Sequence, residues 1–242
     1  MKYKIIGNND KSNIIKTILS NRGVSDWQTY LTLREGSRDT YKNLDYINEA
    51  VELFDKHFQN HNPIAILMDN DYDGVASCTL MYKFIKDLDP EYDVRLYVHE
   101  RNKSHGLDGD FEIEDDVKLF LVPDAGSNNL LEHQELKKRG IDIICLDHHQ
   151  VTIYIEDSPA IIINNQSSDN YTNKGCCGAS ITLEFCRALD EFYWTDYASK
   201  YDDLVAIANI ADVMSLKDVA TRREVALGLA NIRNKMLSEI FD

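Results

Sequence analysis

Apolar residues recur along this chain in two different periods. In 11–20 (KSNIIKTILS) and 40–59 they return every three or four positions, the spacing of a helix with one buried stripe. From residue 63 onward, short unbroken apolar runs take over: 63–68 (PIAILM), 94–99 (VRLYVH), 117–122 (VKLFLV), 141–146 (IDIICL) and 160–164 (AIIIN). Helical spacing returns between them at 74–88 and 129–139. Runs this short, separated by helices, predict strands of a mostly parallel sheet covered on both faces. The turn-rich stretch 165–175 (NQSSDNYTNKG) ends the alternation, and 178–192, 197–211 and 217–237 are predicted helices. The expected fold is therefore α/β: a doubly wound, mostly parallel sheet of about five strands with a helical C-terminal segment. The chain divides into a helical segment 1–62, a sheet core 63–165 and a helical segment 166–242.

Composition narrows the function classes. The 242 residues are ample for a buried core. A net charge of −15, from 26 basic against 41 acidic residues, argues against a general polyanion binder, because phosphate contacts need Lys and Arg. It leaves room for a carboxylate cluster neutralised by cations that in turn hold a phosphate. Five cysteines without a C-x-x-C pair disfavour a disulfide framework or a cysteine zinc site and predict buried free thiols. No apolar run approaches the roughly 18 residues of a membrane span, and the N-terminus lacks a secretory apolar stretch. A cytoplasmic protein with no membrane partner is expected.

Polar residues follow several predicted strands directly. Asp69-Asn70-Asp71-Tyr72-Asp73-Gly74 follows the first, Asp124-Ala125-Gly126 the third and Asp147-His148-His149 the fourth, while the fifth runs into Asn164-Asn165. An open parallel sheet binds ligands at the carboxyl ends of its strands, so these groups should meet on one rim. Carboxylates gathered there would repel one another without a counter-charge. Oxygen-rich ligands with one or two imidazoles suit manganese or magnesium better than zinc. Other roles exist for the parts. D-x-D-x-D-G also opens an EF-hand loop, but the twelfth position, Leu80, is not Glu, and a strand precedes the motif. A lone Asp after a strand, such as Asp124, is commonly a helix N-cap.

These residues resemble the motifs of the DHH phosphoesterases, in the form found in RecJ-type exonucleases. The run 69–74 looks like the first motif, 124–126 the second, 140–149 (GIDIICLDHH) the third, and 208–216 (ANIADVMSL) the fourth, whose aspartate falls on Asp212. Weaker likenesses are 20–23 (SNRG), the phosphate-binding segment 97–107 with Arg101, the small-residue turn 175–180 (GCCGAS), and 231–233 within what resembles an interdomain helix. The resemblance implies a DHH catalytic domain over 1–242 and a site of two Mn2+ or Mg2+ ions. Implied ligands are Asp71, Asp73, Asp124, His148 and Asp212, with Asp69 and Asp147 as further ligands or orienters and Asp124 as the bridge. It implies catalytic roles for Asp69, Asp71, Asp124, His148 and His149, with His149 facing the scissile phosphate. Arg101, His105, Asn164 and Asn165 are implied substrate contacts. RecJ-type proteins continue into a DHH-associated domain and an oligonucleotide-binding fold, neither of which the sequence to Asp242 contains. Three functions follow: a 5′-to-3′ exonuclease core acting on single-stranded DNA, a phosphodiesterase for short oligonucleotides or cyclic dinucleotides, and a non-catalytic assembly subunit. A second domain or partner protein would complete the cleft.

Overall fold

In the computed structural model, described for residues 7–33, 40–98, 106–108 and 112–241, the five apolar runs become strands of one sheet. They are β1 (Ile64–Met68), β2 (Val94–Val98), β3 (Leu119–Pro123), β4 (Asp142–Asp147) and β5 (Ile161–Asn164). Every pairing is parallel, in the order β2-β1-β3-β4-β5. Successive side chains of a strand point to opposite faces. Ile64, Ile66, Leu121, Ile144 and Ile163 accordingly join one apolar cluster, and Ala65, Leu67, Phe120, Val122 and Ile143 another. The first face is covered by α3 (Ile47–Gln59), α4 (Tyr72–Leu88) and α6 (Gly178–Tyr193); the second receives Leu136 of α5 (Leu130–Lys138). Burial on both sides is why the strands read as continuous apolar runs rather than alternating ones. All five cysteines are free and buried, as expected from their spacing. No helix among the described residues is long and apolar enough to cross a membrane.

The helical segments depart from the predicted bounds where tertiary contacts intervene. The first stripe becomes α1 (Ile14–Asn21), and an unpredicted short helix, α2 (Trp27–Thr32), follows it. The stretch 40–59 splits into a 3-10 turn, Tyr41–Asn43, and α3, separated by Tyr46 in the left-handed region at φ 63°. The stretch 197–211 becomes a 3-10 turn, Ala198–Tyr201, leading into α7 (Asp202–Ala211).

The single helix expected over 217–237 is instead α8 (Val219–Ala230) and α9 (Lys235–Phe241). The break has an identifiable cause. Buried Asp203 of α7 accepts the backbone N–H groups of Arg233 at 2.7 Å and Asn234 at 2.6 Å. Asn234 Oδ1 then accepts from the N–H groups of Met236 and Leu237, starting the next helix. Two charge-assisted bonds from a buried carboxylate outweigh the helical continuation that the apolar spacing favours. Asp203→Ala strands both donors and is expected to cost about 1–3 kcal/mol. Chemical denaturation would measure that loss, and limited proteolysis should then cut within 231–234; unchanged stability would show that the break is set elsewhere.

Candidate functional site

The strand register brings one end of the sheet level: Ile66 pairs with Leu121, Pro123 with Leu146, and Asp147 with Asn164. Strand order reverses between β1 and β3, a switch point of the kind at which open parallel sheets bind ligands. The run 69–73 leaves β1 there, and Asp124 leaves β3.

Each carboxylate is held by a different local device. Asp71 is the N-cap of α4, its Oδ1 accepting from the Gly74 N–H at 2.9 Å, so the D-x-D-x-D-G run opens a helix rather than a calcium loop. Asp69 is buried, with Oδ1 accepting from the Asn70 N–H at 2.7 Å. Asp73 is buried and turned toward α6, where Oδ2 accepts from the Gly178 N–H at 2.7 Å and Oδ1 from the Ala179 N–H at 2.9 Å. It caps that helix from a distance, since Cys177, the local N-cap residue, makes no side-chain cap bond. Asp124 is not a helix cap: α5 starts at Leu130 behind Asn129. Its backbone sits at φ 63°, and its N–H donates to Leu146 O at 2.8 Å. Gly178 packs directly on it, close enough that an added Cβ would lie 2.3 Å from Asp124 Oδ1 and 2.7 Å from its Cα.

Asp147 closes β4 and braces both histidines, His148 through its backbone and His149 through backbone and ring. Its Oδ1 accepts from the backbone N–H groups of His148 at 2.7 Å and His149 at 3.1 Å and bonds His149 Nδ1 at 2.7 Å, while Oδ2 accepts from the Ser127 N–H at 3.0 Å. Burial alone would raise its pKa, but the hydrogen bonds from His149 and Ser127 outweigh burial and hold the carboxyl well below its usual range. The same bond raises the pKa of His149, whose ring is half exposed. Asn164 completes the brace, donating to Ser127 Oγ at 2.8 Å and His149 O at 2.9 Å.

Three carboxylate oxygens converge on one nitrogen. His148 Nε2 lies 3.3 Å from Asp124 Oδ1, 3.7 Å from Asp212 Oδ2 and 3.8 Å from Asp73 Oδ2. Asp212 arrives as the C-cap of α7, so the helical segment does return it to the rim beside His148. Asp124 Oδ1 and Asp212 Oδ2 are buried oxygens that make no hydrogen bond. Burial, then the negative charge of Asp73, raises the Asp124 carboxyl well above its ordinary range. Burial also raises Asp212, with Asp73 and Asp71 adding to the shift and His148 opposing it.

Among the described residues, two overlapping sets have their donor atoms within 4.8 Å of one another: Asp124, His148 and His149, and Asp73, His148 and Asp212. His148, not Asp124, is the member common to both. Buried carboxylate oxygens without donors, crowded against further carboxylates, fit a cation, and hard oxygens with an imidazole fit manganese or magnesium.

Other expected residues fall differently. Asn164 and Asn165 are buried, and the Asn165 amide donates to Asn173 O at 3.1 Å and to Cys176 Sγ at 3.3 Å. Both amides are thus committed inside the protein rather than displayed on the rim. Arg101 and His105 lie outside the described residues. Ser127, Gly178 and Ala179, which hold Asp147 and Asp73, were not among the expected site residues. The small-residue run 175–180 was the available signal for the latter two.

Comparison with known proteins identifies relatives of the chain and of its fold. The profile of the DHH family, N-terminal domain, matches residues 63–214. A SPbeta prophage-derived protein of Bacillus subtilis (strain 168), named as a single-strand DNA-specific exonuclease, YorK, is 36% identical over 242 residues, all of this chain and 41% of that protein. The single-stranded-DNA-specific exonuclease RecJ of the same organism is 27% identical over 192 residues, 77% of this chain and 23% of RecJ. A crystal structure of exonuclease RecJ bound to manganese superposes with a TM-score of 0.68 at 26% identity, covering 78% of this chain and 48% of that one. The chain thus spans well under half the length of the curated relatives it matches.

Proposed function

Because this chain belongs to the DHH family, we propose that it forms the catalytic core of a divalent-metal-dependent phosphodiesterase that shortens single-stranded DNA from the 5′ end. The observation that carries this reading is the meeting of two buried, donorless carboxylate oxygens, of Asp124 and Asp212, at His148 Nε2 on the switch-point rim. Asp71, Asp73, Asp124, His148 and Asp212 are the proposed ligands of two Mn2+ or Mg2+ ions. A single imidazole nitrogen has one free lone pair and cannot hold two cations at once, so sharing between two ions would fall to a carboxylate, the role proposed for Asp124. Asp69 is buried next to them; Asp147, which belongs to neither donor set and holds His149 Nδ1 and the Ser127 N–H, is assigned an orienting role.

When bound, such ions would lower the pKa of water and offset charge on the attacking and leaving oxygens. The protein's own groups supply the rest. His149, held by Asp147 through Nδ1, presents its exposed edge to a scissile phosphate and, with its raised pKa, donates a hydrogen bond to a phosphate oxygen. Asp73 fixes the α6 N-terminus against the rim, so the ligand cluster and the helix move as one body. With 26 basic against 41 acidic residues, grip on a long strand would come from a second domain or a partner protein. We assign the activity to the cytoplasm.

The test uses purified chain with Mn2+ on 5′-labelled and 3′-labelled single strands, duplexes and dinucleotides. Release of mononucleotides from the 5′ end, weakened by salt and abolished by chelator, is expected. Hydrolysis of dinucleotides alone would move the assignment to short oligonucleotides, and no Mn2+-dependent hydrolysis of any of them would overturn it. In the same preparation Asp147→Asn should weaken Mn2+ binding about 10–100-fold, the usual effect of losing a residue that orients a metal ligand. Calorimetric titration measures it, and unaltered affinity would remove Asp147 from the orienting role.

A further inference from the structure

Beside the catalytic rim lies a cavity of about 310 Å³ that the site described above does not use. Its volume falls at the lower end of the range of small-ligand sites, about 300–1,000 Å³. Gln150, which directly follows His149, and Gln166, whose backbone N–H donates to Asn164 Oδ1, form part of its wall. Asn164 in turn holds His149 O, so the cavity is built on the same brace as the catalytic imidazole. Its other walls include Tyr154, 79% exposed, and Tyr46, 40% exposed and held at φ 63°. A bulky residue held in the left-handed region is uncommon and marks a locally constrained backbone position.

The lining charges say which part of a nucleotide could enter. Among the described residues, Asp45 and Glu156 line the cavity and no lysine or arginine does, so these carboxylates disfavour a phosphate there. A neutral flat ring with hydrogen-bonding edges is accommodated. Tyrosines stack on bases of any sequence, and amide side chains meet their polar edges. Gln150 Nε2 donates to Gln166 Oε1 at 3.0 Å, which leaves Gln150 Oε1 able to accept from an exocyclic amine.

We propose that this cavity is a nucleobase subsite. It takes the base of a nucleotide whose phosphate lies at His149, with Tyr154 as the stacking ring. The assignment rests on the proposed phosphodiesterase reading, but its test does not need hydrolysis. Binding of deoxyadenosine 5′-monophosphate and of deoxyribose 5-phosphate to the full chain is compared by tyrosine fluorescence and calorimetry, for the wild type, Tyr154→Ala and Tyr154→Phe. The wild type should prefer the base-bearing ligand by about tenfold, the scale of one base–aromatic stack. Tyr154→Ala should abolish that preference while leaving deoxyribose 5-phosphate affinity unaltered, and Tyr154→Phe should retain it, since the ring and not the hydroxyl stacks. Equal affinity of the wild type for both ligands, or an undiminished preference in Tyr154→Ala, would overturn the subsite. Absence of nuclease activity with the base preference intact would overturn the phosphodiesterase reading alone.

Discussion

Asp124→Asn is expected to abolish metal-dependent activity while making the metal-free protein more stable. The substitution removes a carboxylate proposed to hold the metal. If metal charge supplies about 4 kcal/mol at the transition state, hydrolysis falls about 1,000-fold. Stability moves the other way because Asp124 is buried beside Asp73, and both effects penalise its charge. Its folded pKa is raised, so the wild type binds more protons folded than unfolded. In chelator its stability therefore declines as pH rises from the ordinary carboxylate range through the raised folded pKa. The variant lacks that decline. Near neutral pH it should melt about 2–4 °C higher for each kcal/mol of repulsion relieved, and the gap should close in acid. Asn also suits the left-handed backbone at this position, φ 63°. Added Mn2+ reverses the order. At a hundredfold the dissociation constant the wild type gains about 2.7 kcal/mol, or about 5–11 °C, and the variant gains almost none. Paired melting curves in chelator and in Mn2+, repeated across pH, make the measurement. A variant that is less stable in chelator, or that still responds fully to Mn2+, would show that Asp124 is not the strained ligand inferred here.

Gly178→Ala should disable the site without replacing any charged group. The new methyl would lie 2.7 Å from Asp124 Cα, and backbone cannot rotate away as a side-chain tip can. The substitution pushes the start of α6 off the rim and loosens the cap that Asp73 places on it. Overpacking of this kind costs about 1–3 kcal/mol, and the helix gains less than that from Ala at its first turn. The melting midpoint should fall by several degrees, about 2–4 °C for each kcal/mol. Shifting a ligand by about 1 Å is worth about 100-fold in rate, so the activity loss should exceed anything instability explains. Gly175→Ala is the control. A Cβ there meets nothing closer than 3.9 Å, and both readouts should stay near wild type. If the two alanine variants behave alike, close contact at Gly178 is not what shapes the site.

Much of the fold is legible in the sequence. The five strands coincide with the apolar runs to within a residue or two at each end, because a sheet buried on both faces favours unbroken apolar stretches. Parallel connection then sends every strand-terminal polar group to one end, which brought Asp69, Asp73, Asp124, Asp147 and His148 together on paper. Helix ends were less legible. The apolar stripe through 217–237 carries no local sign that Asp203, in another helix, takes the N–H groups of Arg233 and Asn234 and stops the helix there.

Within the site, the sequence determined which residues stand near the rim, since position after a strand is a local property. The tertiary structure alone decided what each does. Asn164 and Asn165 looked like phosphate grips, but both amides are buried and satisfied internally. Asp147 and Asp124 both end or follow a strand and look alike along the chain. The first is met by donors from Ser127, His148 and His149; one oxygen of the second is met by none. A carboxylate's role follows from whether its charge is already balanced by neighbours distant in sequence, and that balance exists only once the chain has folded.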